Sequence, residues 1–423
     1  MKRISTFLAA ICLALVFNLP SFAQMMSETL AIQLVESVPI ETRLGVAETG
    51  RTLPVWLDMI HHAHQSIEIG CFYLSNEKDE PLQQILTELA TATQRGVKVR
   101  ILTDLRMSGS YPQTLAELTQ LRNLQVARTD YYNRRGGVMH AKYLLIDRKE
   151  VFLGSQNFDW RALKHIHETG LRIVNDRLAQ MFGLIFDLDW QVASSGKTVD
   201  PKWLVGHLID SLSILQSQPV INAQHLLQLP FANCDSVRLY PTFSPQESLL
   251  PGMAWDEEEL VKLLDQAKKE IVIQLLSYAT NEGKTFYPVL DNALRRAATR
   301  GVQVKIILAD WSSSASRLPQ IKSLAVIPNI EIKFSSIPPW SGGFVPYARV
   351  EHCKYLVVDH ETGWLGTANW SWDYFYASRN VGIVFIGKGV STLLRQVFYK
   401  SWDSDYVQPV DACKDYKPPK ISE

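Results

Sequence analysis

The sequence predicts a duplicated α/β protein, with helices covering a central sheet in each of two tandem halves. Three observations predict it. The chain has 423 residues, more than one hydrophobic core usually supports. An internal repeat recurs with a period slightly above about 200 residues. In both copies, strand-like apolar runs alternate with amphipathic helices. A repeat this long is a duplicated domain, since solenoid units run to about 20–50 residues. With 46% apolar and 20% charged residues, the chain has the composition of a globular protein.

The elements follow in order. Lys2 and Arg3, the apolar run Phe7 to Val16 and Ser21-Phe22-Ala23 are the three parts of a secretory signal. Residues 1–23 are therefore expected to be a signal peptide cut after Ala23, and the protein is expected to be exported, either periplasmic or secreted. No later stretch approaches the roughly 18–20 uninterrupted apolar residues of a membrane span. The first domain, over residues 30–200, opens with a helix from Trp56 to His64 and a strand from Ser66 to Tyr73. A further helix ends at Gly96, and a buried strand runs on to Asp104. The stretch from about Ser194 to Asn233 is less clearly patterned and joins the halves. The second domain, over residues 234–410, repeats the design with a helix from Glu257 to Lys269, a strand from Glu270 to Tyr278, and Arg300-Gly301 before the strand ending at Asp310. The tail after Asp411, rich in Lys and Pro, is expected to be loosely held.

Without the leader, Lys2 and Arg3 are lost from the 43 basic residues, leaving 41 against 43 acidic ones and a formal charge of −2. A protein gripping many phosphates of duplex nucleic acid normally carries a basic surplus, so extensive backbone wrapping is not expected, whereas a narrow groove for one strand or one head group remains open. Four cysteines remain, Cys71, Cys234, Cys353 and Cys413. Cys71 and Cys353 lie in strand-like runs and are expected to be buried thiols. Cys234 and Cys413 sit in irregular segments and are the better pair for a disulfide. Their spacing does not suggest zinc.

Each half ends in the same constellation. His140-Ala141-Lys142, with Asp147, precedes Gly154-Ser155-Gln156-Asn157; His352-Cys353-Lys354, with Asp359, precedes Gly366-Thr367-Ala368-Asn369. The spacing H-x-K-x-x-x-x-D, then six residues, then G-[S/T]-x-N is identical in both. Alternation along a strand places His140 with Lys142 and His352 with Lys354, and likewise Ser155 with Asn157 and Thr367 with Asn369. If the halves meet about a pseudo-two-fold axis, two imidazoles, two ammonium groups, two amides and two hydroxyls converge. That inventory suits a phosphodiester, whose nonbridging oxygens would be held by the lysines, by Asn157 and Asn369, and by Ser155 and Thr367. One histidine attacks phosphorus and the other gives a proton to the departing oxygen, then activates water or another alcohol. No metal or cofactor is required, and no dense Asp/Glu cluster stands near the motifs to hold one. Asp147 and Asp359 are expected to anchor the adjoining turns.

Glu168 stands 28 residues after His140, where the second half has Asn380. A carboxylate at the far ring nitrogen stabilises charge on an imidazole, which assigns His140 as nucleophile and His352 as acid/base, although exchanging the roles leaves the pattern unaltered. His61, His62 and His64 on the first helix are expected to be solvated or packed. His165 and His167 have no partner that the sequence identifies.

These paired motifs resemble the phospholipase D superfamily. Leu34 to Pro39, Gly154 to Leu163 and Gly366 to Ser371 look like the branch of animal lysosomal phospholipase D-like 5′ exonucleases and poxvirus relatives. The resemblance implies two tandem α-β-α sandwich domains related by a pseudo-two-fold axis, with the active site between them. It also implies catalytic roles for His140, Lys142, Asn157, His352, Lys354 and Asn369. The expected partner is a phosphodiester substrate, foremost single-stranded nucleic acid, with Trp160, Trp370, Trp372, Tyr374 and Phe375 near the motifs and one or two of them stacking on bases. The alternative is a glycerophospholipid, with hydrolysis or phosphatidyl transfer and peripheral contact with a membrane. A non-catalytic binding module is a third class, but inactive relatives usually lose one of the two histidines or lysines. No obligate protein partner is inferred.

Overall fold

The computed structural model describes residues 30–195, 219–231, 235–282 and 285–422. The expected leader and Cys234, with the disulfide assigned to it, lie outside the described residues. Among the described residues, no helix is long and apolar enough to cross a membrane.

Two mixed sheets organise the molecule. Across the first, the strands run Gly50–Arg51, Ile32–Ser37, Glu168–Val174, Glu150–Gly154, Tyr143–Ile146, Ser66–Cys71, Lys98–Asp104 and Leu124–Thr129. Across the second they run Leu227–Phe231, Asp235–Ser244, Asn380–Ile386, Thr362–Gly366, Lys354–Val358, Glu270–Leu275, Gln303–Ala309, Ile330–Ser335 and Val407–Pro409. The order from Ile32–Ser37 to Leu124–Thr129 repeats strand for strand from Asp235–Ser244 to Ile330–Ser335, as duplication requires.

Local chemistry accounts for the repeated units. Ser66–Cys71 pairs in parallel with Lys98–Asp104 because the helix Leu82–Gln94 makes the crossover between them. The equivalent helix in the second half is Val289–Thr299. Gly96 and Gly301 have φ of +94° and +87°, the left-handed residue just past each helix that frees the chain to turn into its strand. Tyr143–Ile146 runs antiparallel beside Ser66–Cys71, with Gly70 opposite Tyr143. A Cβ on Gly70 would stand 2.5 Å from the Tyr143 ring, so only glycine fits there.

The helices Thr52–His61 and Leu82–Gln94 bury Trp56, Met59, Ile60, Ile85 and Leu89 against one face of the first sheet. On its other face the helix Asp176–Ser194 contributes Leu178, Phe182, Ile185 and Phe186 to a core that continues into the second half. Phe182 meets Phe243 of the second half with ring centroids 5.3 Å apart. The tail departs from expectation: Tyr416 packs edge-on against Phe334, and the Tyr347 N–H donates to Ile421 O at 2.8 Å. Its aromatic and backbone groups find partners that a composition rich in Lys and Pro does not advertise.

Candidate active site

His140 and Lys142 lie just ahead of the strand that begins at Tyr143, and Lys354 is the first residue of its strand. Alternation along one strand therefore does not place them, contrary to the sequence expectation. They are held instead by two short seams between the halves. In one, Met139 pairs with Arg379; the His140 N–H donates to Arg379 O at 3.0 Å and the Arg379 N–H to Val138 O at 3.0 Å. In the other, His167 pairs with Glu351; the His352 N–H donates to His167 O at 2.8 Å and the His167 N–H to Val350 O at 3.1 Å.

The seams exchange partners between halves. His352 Nδ1 meets Glu168 Oε1 at 2.5 Å, and His140 Nδ1 meets Asn380 Oδ1 at 3.1 Å. The expectation that Glu168 serves His140 is thus corrected, because each ring is oriented by the residue after the seam in the opposite half. With the carboxylate on its Nδ1–H, His352 keeps the lone pair on Nε2. The carboxylate that the spacing assigned to His140 therefore stands at His352.

Each lysine tethers itself locally. Lys142 Nζ donates to His140 O at 2.5 Å, and Lys354 Nζ to His352 O at 2.8 Å. All four groups are buried, and they act on one another electrically. Burial, reinforced by Lys142 and Lys354, holds His140 well below the usual histidine range. Burial, Lys354, Lys142 and His140 do the same to His352. Lys142 is pushed well down by burial and by Lys354, and burial brings Lys354 to about 7, with Glu168 opposing. Burial raises Glu168, against the pull of Lys354, Lys142 and His167. Burial thus disfavours charge on every member of the group, and an entering phosphodiester anion would favour the ammonium forms of both lysines.

The amides and hydroxyls divide. Asn157 and Asn369 are buried, and the Oδ1 atom of each, an acceptor, has no partner within the protein, so it is Nδ2 of each amide that could donate to a phosphate oxygen. Ser155 and Thr367 do not: Ser155 Oγ accepts from the Thr169 N–H at 3.2 Å, and Thr367 Oγ1 donates to Asn380 Oδ1 at 2.9 Å and accepts from the Val381 N–H at 3.0 Å. Their hydroxyls tie chain to chain, and their backbones contact His352 and His140 respectively, across the halves. Asp147 accepts the N–H groups of His64, Gln65 and Ser66 at 2.7–2.9 Å, and Asp359 those of Lys268, Lys269 and Glu270 at 2.7–3.0 Å.

Of the aromatic residues named from sequence, Trp370 and Phe375 are core, while Trp160, Trp372 and Tyr374 are half-buried. Tyr374 stands edge-on to His140 at 4.8 Å between centroids, and Phe72, which the motifs do not flag, stands at 5.1 Å. His61, His62 and His64 are exposed. His165 is buried with neither ring nitrogen partnered, between Trp160 and Trp340.

Two buried charge clusters were missed. His167 lies between Glu36 and Glu351, and Arg379 makes a double contact with Asp189 at 2.8 Å. Charged residues inside apolar runs, as in Val35-Glu36 and Val350-Glu351, were the available signal. Among the described residues, His167, Glu351 and Cys353 are close enough to share a cation, but both nitrogens of His167 face carboxylates, and the imidazolium has no lone pair to give.

The model of the family described as "Cardiolipin synthase, PLD-like domain" matches residues 56–190 and 260–402. Phospholipase D Z of Dictyostelium discoideum is 29% identical over 398 residues, 90% of this chain and 91% of that protein. The 5′-3′ exonuclease PLD3 of Bos taurus is 30% identical over 413 residues, 90% of this chain and 81% of that protein. In fold, the chain is similar to a phosphatidylserine synthase of Haemophilus influenzae, with a TM-score of 0.57 at 14% identity over 85% of both chains.

Proposed function

The chain belongs to the phospholipase D superfamily, a phosphodiesterase family, and we propose that it is an exported, metal-independent enzyme that cleaves single-stranded nucleic acid from a 5′ end through a phosphohistidine on His352. One observation carries the reading: two imidazoles from separate halves, each fixed at Nδ1 by the other half, share a buried pocket with both lysines.

His352 Nε2 attacks phosphorus and the P–O bond to the leaving alcohol breaks. His140 gives that oxygen its proton, then takes one from the water that hydrolyses the P–N bond. Glu168 offsets the charge that appears on the His352 ring. Lys142, Lys354, Asn157 and Asn369 hold the nonbridging oxygens. Entry of the anionic diester offsets the two ammonium groups and raises His140 toward the protonated form its role requires.

Nucleic acid is supported by the relatives named 5′-3′ exonuclease and by the low exposure of both rings: His140 is 4% and His352 8% exposed, which suits a chain end better than the interior of a duplex. A second reading, a phospholipase D, is supported by the relative of that name and by exposed apolar side chains beyond strand ends: Leu105, which opens the helix Leu105–Ser110, and Phe344 and Tyr347, in the loop after the strand Ile330–Ser335.

The test incubates the chain with EDTA against a 5′-hydroxyl single-stranded oligonucleotide and against phosphatidylcholine vesicles. Nucleotide release without choline release is expected, and choline release alone would favour the second reading. His140→Ala and His352→Ala should each lower turnover by about a thousandfold or more. An acid-labile phosphoenzyme should map to His352. Activity surviving in both variants would sink the mechanism.

A further inference from the structure

The seam that presents His352 carries two pairs of side chains on opposite sides. Successive residues of an extended segment point in opposite directions, so His167 and Glu351 meet on one side while Glu168 and His352 meet on the other. A slip of one residue would turn Glu168 away from the imidazole. Three interhalf backbone bonds oppose such a slip, Arg349 N–H to His165 O, His167 N–H to Val350 O and His352 N–H to His167 O. The His167 side chain adds one more bond across the halves, Nδ1 to Glu351 Oε2 at 2.7 Å, and its Nε2 is held within its own half by Glu36 Oε1 at 2.9 Å.

We propose that His167 is a positioning residue: its ring, clamped between Glu36 and Glu351, helps set the register in which Glu168 meets His352 and favours the carboxylate form of Glu168. The inference rests on Glu168 and His352 acting as described under Proposed function.

The surroundings of the clamp fit a permanent imidazolium. Glu36 comes from the strand Ile32–Ser37, and its other oxygen accepts the Val46 N–H at 3.0 Å and the Thr49 hydroxyl at 2.8 Å, with Arg51 3.6 Å away. Glu351 also accepts from Gln274 Nε2 at 2.7 Å and the Cys353 N–H at 3.1 Å. The Cys353 thiol lies 3.7 Å from His167 O. Burial alone would depress His167, but Glu351 and Glu36 outweigh it and raise the ring to about 10. Glu168 is faced by His352, Lys354, Lys142, Asp159 and His167, and of these Lys354, Lys142 and His167 favour its carboxylate form.

The other seam repeats the device with a cation that never titrates. Arg379 precedes Asn380 as His167 precedes Glu168, and its side chain reaches Asp189 in the first half and Ser244 O in the second. A fixed charge suffices there, because Asn380 has no charge to regulate.

The experiment measures kcat/KM against pH with bis(p-nitrophenyl) phosphate as probe. In His167→Gln the acidic limb, set by Glu168, should move up by about one unit, the size expected for removing one nearby opposite charge. His167→Arg should restore the limb. Glu351→Gln, which removes a negative charge and leaves His167 paired with Glu36, should not raise it. A His167→Gln profile lowered equally at every pH, with the limb unmoved, would reduce His167 to a structural role and overturn the inference. In the unaltered chain, 15N shifts of the His167 ring should report both nitrogens protonated at neutral pH, and a neutral ring there would also overturn it. That measurement needs neither turnover nor a folded variant. A chain that folds, carries the protonated ring and fails to cleave any phosphodiester would count against the proposed function and leave the clamp standing.

Discussion

Lys354 is a residue whose charge pH reaches near neutrality. Burial brings its ammonium from the ordinary lysine value to about 7, with Glu168 resisting. The cation that grips phosphate is therefore present below about 7 in the free protein and is lost as pH rises through that value. Because kcat/KM reports ionisations of the free enzyme, it should fall on the alkaline side with a limb near 7. Lys354→Arg keeps its charge throughout, so that limb should vanish even though turnover drops with the altered geometry. A limb unchanged in Lys354→Arg would assign it to another group. At this scale the motifs made His140, His352, Lys142, Lys354, Asn157 and Asn369 legible, since spacing alone marks them. The partner of each histidine was not legible. An interval of 28 residues links Glu168 to His140 along the chain, whereas the seam delivers it to His352, and only the packing of the two halves decides between them. His167 escaped notice for the same reason: Glu36 and Glu351, which define its role, lie 131 and 184 residues away.

Elements were easier to read than their ends. The expected helix over Trp56 to His64 is Thr52–His61, and that over Glu257 to Lys269 is Asp256–Gln266, both offset at their boundaries. The offset leaves four residues after the first helix and three after the second outside any regular ladder, and there the motif aspartates act. Asp147 and Asp359 have φ of +52° and +51°, a conformation that aspartate tolerates because its short side chain bonds nearby backbone. Each gathers three N–H groups at the entry of a central strand, which joins the end of the motif strand to the start of its neighbour. Asp147→Ala removes these acceptors from partly exposed amides that water can serve, so a loss of about 1–3 kcal/mol in urea unfolding is expected, with turnover of the folded fraction largely kept. A variant of unchanged stability and abolished turnover would instead give Asp147 a part in the chemistry. Alternation failed for His140 and Lys142 because the regular strand starts one residue after the lysine, and the seam, an element built from both halves, takes over their placement.

As a whole the molecule is two halves that complete one another. Neither histidine has its orienting partner in its own half, and one core runs from Phe182 and Phe186 of the first half into Phe243 and Ile383 of the second. Duplication was legible because strand order follows sequence order; interdependence was not, because it resides in contacts between residues as far apart as Asp189 and Arg379. That ion pair is buried on both sides, and the Tyr132 hydroxyl donates to Asp189 Oδ1 at 2.7 Å beside it. A buried pair adds little over a well-packed apolar substitute, but removing one partner strands the other charge without water. Arg379→Met should therefore cost about 3–5 kcal/mol, measured by denaturant unfolding, since Asp189 would keep only the tyrosine hydroxyl as donor. Adding Asp189→Leu should recover much of that loss, because the stranded carboxylate goes with it. The double variant should still be impaired in turnover if Arg379 also fixes the seam carrying Asn380 and His140. Full turnover in the double variant would mean that the backbone bonds of Met139 and Arg379 hold the seam unaided, and that the ion pair contributes nothing to the placement of His140.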